Sequence, residues 1–299
     1  MTQPSSLETQ PSGTAAATAF LRALAANDPR EEIRGNDYLA EIFLEDKRKG
    51  LLKDPARRAW VMQNHLAPGA YAFMFARTAF FDHLVAQALK DNRAQVVLLG
   101  AGYDSRPYRF KEFIQDTRIF ELDAAPTQQR KQECLRQARI TIPEQVCFVP
   151  INFETDPLLE TLLAAGFKRE QQTLFIWEGV SYYLSREAVD QLLTTVRSNS
   201  PAGSSIGFDY AALSAEVLQD AGVQEFRQLM RARHADEPTR FGIPAGTIEA
   251  FLSERGFQVL EHLTAAEMNE RYVLLADSAT PDRVSPLFCL VHAMIMDTA

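Results

Sequence analysis

The chain has 299 residues, 46% apolar and 23% charged, a length and composition expected of one elaborated α/β domain and not of a disordered or fibrous chain. A formal net charge of −8 opposes adhesion to nucleic-acid phosphates, so no nucleic-acid partner is expected. Three widely spaced cysteines, Cys134, Cys147 and Cys289, exclude a disulfide framework and zinc-ligand spacing, which points to a reducing cytoplasm and no metal site.

In chain order, residues 1–13 are polar and carry no secretory apolar run, so a disordered tail is expected there. Nowhere do about 18 apolar residues follow one another, and no membrane partner is expected. Residues 14–90 predict a helical cap, with Phe20, Leu21 and Leu24 on one stripe and Tyr38, Leu39, Ile42 and Phe43 on another. Residues 91–299 predict the core. Val96-Val97-Leu98-Leu99 is a short apolar run stopped by Gly100, the mark of a strand buried on both faces. Similar runs follow at 118–122, 146–151, 174–177 and 205–208, spaced for crossover helices, which implies a mostly parallel sheet with helices on both faces. The polar helical pattern that follows predicts an inserted lid around residues 211–245. A helix at 247–255, a strand near 257–260 and a last apolar run at 287–295 close the chain.

The candidate chemistry gathers at the predicted strand ends. Gly100-Ala101-Gly102 directly after the first strand lets backbone approach a nucleotide-type ligand, although a tight turn needing positive φ explains the same glycines. Asp123 ends the next strand about 20 residues later, where a carboxylate can accept both hydroxyls of an adenosine ribose. The other reading makes Asp123 a helix N-cap. Asn152 and Phe153 follow the third strand, suited to an adenine edge and face or to a plain turn. Glu178 follows four apolar residues of the fourth strand and needs a cation or donor there, unless it is solvent-exposed. Arg77 shares a helical face with Phe73, Met74, Phe80, Phe81 and Leu84, so its permanent charge needs an anion. That anion is a ligand carboxylate or an acid of the chain such as Glu178.

Four segments together resemble the leucine carboxyl methyltransferase family, closest to its bacterial small-molecule O-methyltransferase branch. They are Ala76-Arg77-Thr78 with Phe80-Phe81-Asp82, Gly100 to Arg106, Phe120 to Asp123, and Trp177 to Leu184, in the family's order. The resemblance runs from about Asp37 to the C-terminus. It implies a class I methyltransferase fold, a Rossmann-like and mostly parallel sheet with an antiparallel last strand, plus an N-terminal helical cap. It also implies S-adenosyl-L-methionine as cofactor. On that basis Arg77 grips the cofactor carboxylate, Gly100 lies beneath the methionine part and Asp123 holds the ribose. Asn152 and Phe153 flank adenine, and Glu178 lies near the amino group. Asn152 stands where the family often has Asp, and Tyr103 and Ser105 replace residues that are often Leu or Val and Thr.

The expected activity is transfer of a methyl group to a carboxylate or hydroxyl oxygen of a small molecule or natural product. A carboxylate acceptor is already ionised and needs no base. A hydroxyl needs one, for which His234 or Tyr210 is available. Tyr71, Phe73, Phe75, Tyr182, Tyr183 and Tyr210 either line an acceptor pocket or pack in the core. Two rival functions remain open at this stage. One is an NAD(P)-dependent oxidoreductase, against which Ser105 replaces the third glycine of the dinucleotide fingerprint and Arg106-Pro107 crowds the helix start. The other is a non-catalytic adenosine-ligand-binding protein on the same scaffold.

Overall fold

The computed structural model of the protein describes residues 10–31, 34–233, 239–273 and 283–297. The apolar runs become β1 (Gln95–Leu99), β2 (Arg118–Asp123), β3 (Val146–Pro150), β4 (Thr173–Trp177) and β5 (Ser205–Leu213), all parallel. With β6 (Ile243–Pro244) pairing only the end of β5, the sheet is completed by β7 (Phe257–Leu263) and β8 (Phe288–Ile295). The strand order is β3-β2-β1-β4-β5-β8-β7. β8 runs antiparallel to both β5 and β7, so the last strand is the reversed one, as the family resemblance implies.

The helices in chain order are α1 (Gly13–Ala26), α2 (Asp46–Lys53), α3 (Pro55–Asn64), α4 (Ala70–Lys90), α5 (Arg106–Arg109) and α6 (Ala125–Gln137). They continue with α7 (Leu158–Ala164), α8 (Arg186–Ser198), α9 (Ala215–Gln219), α10 (Ala221–Arg233), α11 (Ile248–Ser253) and α12 (Ala265–Met268). Alternation along β1 sends Val97 and Leu99 into the core shared with α8 and α11, and Val96 and Leu98 into the core shared with α4. Both faces of the sheet are therefore covered, which is why its strands read as unbroken apolar runs. Among the described residues no helix is long and apolar enough to cross a membrane.

α4 is buried nearly all round and lies directly on the sheet. Gly207 makes room for it, because a Cβ there would stand 2.6 Å from Leu84 Cδ1 and 3.3 Å from Phe81 Cε1. Packing between α4 and the strands thus crosses the boundary expected near Asp91.

Three expectations need correction. Residues 27–45 are not continuously helical; the described part turns through Asn27 and Asp28 and holds a short 3₁₀ turn at Ala40–Phe43. β5 extends to Leu213, and Ile243–Pro244 pairs with its end, so the insertion after β5 starts and finishes in sheet. The expected tail partly belongs to the fold: Gly13 opens α1, the Ser12 hydroxyl accepts from Ala15 N–H, and Ser12 N–H donates to Thr127 Oγ1. Residues 1–9 lie outside the described residues.

Asp28 anchors the irregular segment. It is 1% exposed and accepts from Arg30 Nε (3.0 Å), Arg30 Nη2 (2.9 Å) and Tyr71 OH (2.6 Å). Burial pushes its carboxyl up, but the hydrogen bonds from Arg30 and Tyr71 outweigh that and hold it at about 2 against an ordinary 3.8. A depressed folded-state value means stability that is full above about pH 4 and lost as pH falls through about 2. Asp28→Asn is expected to cost about 2 kcal/mol at neutral pH. Denaturant titrations at several pH values check this: the gap from wild type closes toward pH 2.

Candidate functional site

The site forms where the carboxyl ends of β1 and β4 diverge, the point at which the strand order reverses. Gly100 has φ +74° and Gly102 φ +43°. A Cβ on Gly100 would lie 2.4 Å from Val180 Cγ2, so glycine is required by the close approach of the loop after β4. Gly102 N–H donates to Asp123 Oδ2 at 2.6 Å, and Ala124 N–H donates to Oδ1 at 2.7 Å. The residue preceding α6 is Ala124, which makes no side-chain cap, so Asp123 faces the glycine turn instead of capping the helix. Glu121 belongs to another cluster, fully buried against Lys131 Nζ at 2.6 Å and Tyr108 OH at 2.8 Å.

On the opposite flank α4 delivers Arg77, which is 3% exposed. Its Nη1 donates to Asp209 Oδ2 at 3.0 Å and to Tyr182 OH at 3.3 Å, and its Nε lies 3.0 Å from Glu178 Oε1. The second Glu178 oxygen accepts from Arg106 Nη1 at 2.7 Å. Arg106 also binds Asp82 at 2.8 Å and Asp104 at 2.7 Å, which makes one continuous buried network. Burial pushes Asp209 above the ordinary carboxylate range, opposed by Arg77 and the Gly179 N–H. Burial also opposes ionisation of Asp104, but the charges of Arg106, Lys131 and Arg22 together with the Arg106 N–H outweigh it and hold that carboxyl at about 2.

Arg77, Gly100, Ala101, Gly102, Asp123, Asn152, Phe153 and Glu178 all line one cavity of about 830 Å³. Asn152 is also a turn residue, its Oδ1 accepting from Glu154 N–H at 3.0 Å. Thr14, Ala15, Thr18 and Arg22 of α1 form part of the wall, and Arg22 Nη2 ties that helix to Tyr103 O at 2.7 Å. Tyr182 and Tyr183 also line the cavity, whereas Tyr71 binds Asp28 and Phe73 stacks on Phe288 at 4.4 Å. Phe75 lines a separate cavity of about 200 Å³.

Tyr210 does not reach the cavity and is withdrawn as a base. It lies in the core, shares a hydrogen bond of 3.0 Å with His262 Nε2, and burial pushes its hydroxyl far up. The cause is the extra length of β5, which carries Tyr210 inside the sheet. His234 lies outside the described residues. Sequence reasoning missed Asp209, Arg106 and Arg22. An acid inside the apolar stretch of β5 is the available signal for Asp209. Arg106 follows the glycine turn, and Arg22 lies among the small apolar residues of α1.

The orphaned polar atoms give a test of fit for a ligand. Arg77 Nε and Glu178 Oε1, although 3.0 Å apart, are both buried without a hydrogen-bond partner, as is Arg106 Nη2. A zwitterionic amino-acid group suits a guanidinium and a carboxylate that stand side by side at the cavity, each with one atom outside any hydrogen bond. Asp123 lines the same cavity with its carboxylate, the group that accepts from ribose hydroxyls. α5 is a four-residue helix with Pro107 in its first turn, unlike the long helix on which a dinucleotide pyrophosphate rests.

This strand order, with the reversed last strand and a glycine-lined cavity at the switch point, defines a class I methyltransferase fold. The chain belongs to the leucine carboxyl methyltransferase family, whose profile matches residues 15–197. It is 32% identical over 237 residues to YktD of Bacillus subtilis, named as an inferred S-adenosyl-L-methionine-dependent methyltransferase, covering 79% of this chain and 74% of the relative. A similarly named protein of Frankia alni is 35% identical over 206 residues, covering 66% and 69%. Among solved structures, a DUF574-family protein of Streptomyces avermitilis aligns with TM-score 0.62 at 13% identity, over 97% of this chain and 100% of that one. A methyltransferase-like protein of Thermobifida fusca aligns with TM-score 0.58 at 14% identity, over 96% of each. At such identities these two likenesses speak for the fold alone.

Proposed function

We propose that the protein is an S-adenosyl-L-methionine-dependent O-methyltransferase whose acceptor is a small molecule bearing a carboxylate. The observation that carries this reading is the meeting of the Arg77–Glu178 ion pair and Asp123 in one cavity. The relatives' names support the cofactor. When bound, the cofactor supplies an electrophilic methyl group on a sulfonium. Arg77 and Glu178 hold the amino-acid end, Asp123 accepts from the ribose hydroxyls, and Asn152 and Phe153 flank the adenine. α1 forms one wall of the cavity beside the glycine turn; its Ala15 would stand only 3.4 Å from a Cβ on Gly102. Positioning and desolvation then supply most of the catalysis.

The wall contains, among the described residues, no histidine, lysine or cysteine, and its candidate proton acceptors are the acids Glu154 and Asp156 and the hydroxyl of Tyr183. Burial pushes the Tyr182 hydroxyl well up. A carboxylate acceptor needs no proton removed at neutral pH. Cell extracts incubated with the protein and a deuterated methyl donor test this directly. Product label released as methanol by mild alkali supports an ester; alkali-stable label marks an acceptor other than a carboxylate and contradicts the reading.

Asp123→Ala is expected to weaken S-adenosylmethionine binding at least tenfold, about 1.4 kcal/mol, measured by titration calorimetry. NAD is expected to give no binding heat in the same cell. Wild-type affinity in the folded variant removes Asp123 from the site.

A further inference from the structure

Asp209 is a fully buried acid in the middle of an apolar strand that does not itself line the cavity but bonds residues that do, Arg77 and Gly179. A carboxylate in such surroundings costs several kcal/mol unless donors compensate it. The donors are informative. Oδ2 accepts from Arg77 Nη1 at 3.0 Å and Oδ1 accepts from Gly179 N–H at 2.6 Å, the peptide that immediately follows Glu178. The Asp209 carbonyl also accepts from Ser181 Oγ, two residues farther along the same loop. Gly179 has φ +74°, and a Cβ there would come within 3.2 Å of Arg77 Nη1. One carboxylate therefore ties the α4 cation to the loop after β4, at the only residue type that lets the two approach so closely.

We propose that Asp209 is a positioning residue for the amino-acid end of the cofactor, fixing Arg77 and the Glu178–Gly179 peptide in their ligand-gripping arrangement before the ligand arrives. It acts through those two residues and touches no ligand itself. Such preorganisation lowers the ordering cost of binding, and its loss should fall on contacts made by Arg77 and Glu178 alone. The adenosine half, held at Asp123 on the other flank, should not feel it. This inference rests on the cofactor reading of the cavity given above.

Two ligands separate the halves: S-adenosylhomocysteine, which has the amino-acid group, and 5′-methylthioadenosine, which lacks it. Asp209→Asn keeps the volume but turns an amide NH₂ toward either Arg77 or the Gly179 N–H. In titration calorimetry the variant is expected to bind S-adenosylhomocysteine at least tenfold more weakly than wild type and 5′-methylthioadenosine within about twofold of it. A merely structural role would weaken both ligands in parallel, and that result, or unchanged binding of both, overturns the proposal. Should Asp209→Asn fail to fold, Asp209→Ser, which leaves room for a water against Arg77, carries the same expectation. Wild type binding neither ligand removes the cofactor reading and this proposal together, whereas wild type binding S-adenosylhomocysteine with an unaltered variant removes this proposal alone.

Discussion

Replacing Arg77 with alanine is expected to weaken S-adenosylmethionine binding at least tenfold and to cost about 3–5 kcal/mol of folding stability. The two effects share one cause. Arg77 is buried between Glu178 and Asp209, so its removal leaves two acids facing each other with one cation fewer. Arg106 still neutralises Glu178 at 2.7 Å, but Asp209 keeps only the Gly179 N–H and a long contact from Tyr182 OH at 3.5 Å. Burial already pushes Asp209 up, and loss of Arg77 pushes it farther in the same direction. Arg77→Lys retains the charge but not the planar fork, which here serves an acid on each side; it should recover stability more than affinity. Calorimetric titration and denaturant unfolding of both variants read the two effects separately, and native affinity in folded Arg77→Ala contradicts the assignment.

A loss of similar size without a matching loss of affinity is expected from Lys131→Met. Lys131 and Glu121 are both fully buried and meet at 2.6 Å, so deleting the cation leaves an uncompensated carboxylate and costs about 3–5 kcal/mol. Burial pushes Glu121 up even with Lys131 and Tyr108 opposing it, which shows how little solvent helps that carboxylate. Neither residue lines the cavity. Affinity for S-adenosylmethionine should therefore change far less than in Arg77→Ala. The double variant Glu121→Gln/Lys131→Met keeps an acceptor for Tyr108 OH and should regain most of the lost stability in the same denaturant titrations. Equal losses in the single and double variants would mean that shape, not charge, dominates this site.

Residues legible in the sequence are those whose local pattern already states a conflict or a turn. Val96 to Leu99 reads as a doubly buried strand because all four are apolar and a glycine follows, and alternation does divide them between two cores. Arg77 is conspicuous because a permanent charge shares a helical face with Phe73, Phe80 and Phe81. Its anion is a different matter: Asp209 lies 132 positions away, and no spacing rule links a helix residue to an acid five strands into a sheet. Glu178 is expected to need a cation, and it has two, one supplied by Arg106 through a four-residue helix that the sequence shows only as a crowded turn. The far end of β5 escapes because Tyr210-Ala211-Ala212 lacks the strong β-branched run of a strand. Its partner β6, at two residues, is too short to have a period. Tyr210 illustrates the consequence, since two more residues of strand move a candidate base into the core.

Crystals of the protein grown with S-adenosylhomocysteine test the central claim most directly. The account predicts the ligand carboxylate against Arg77, its amino group against Glu178 and its ribose hydroxyls against Asp123, all within the cavity behind α1. Ligand density elsewhere, or an amino-acid end turned away from Arg77, would contradict it.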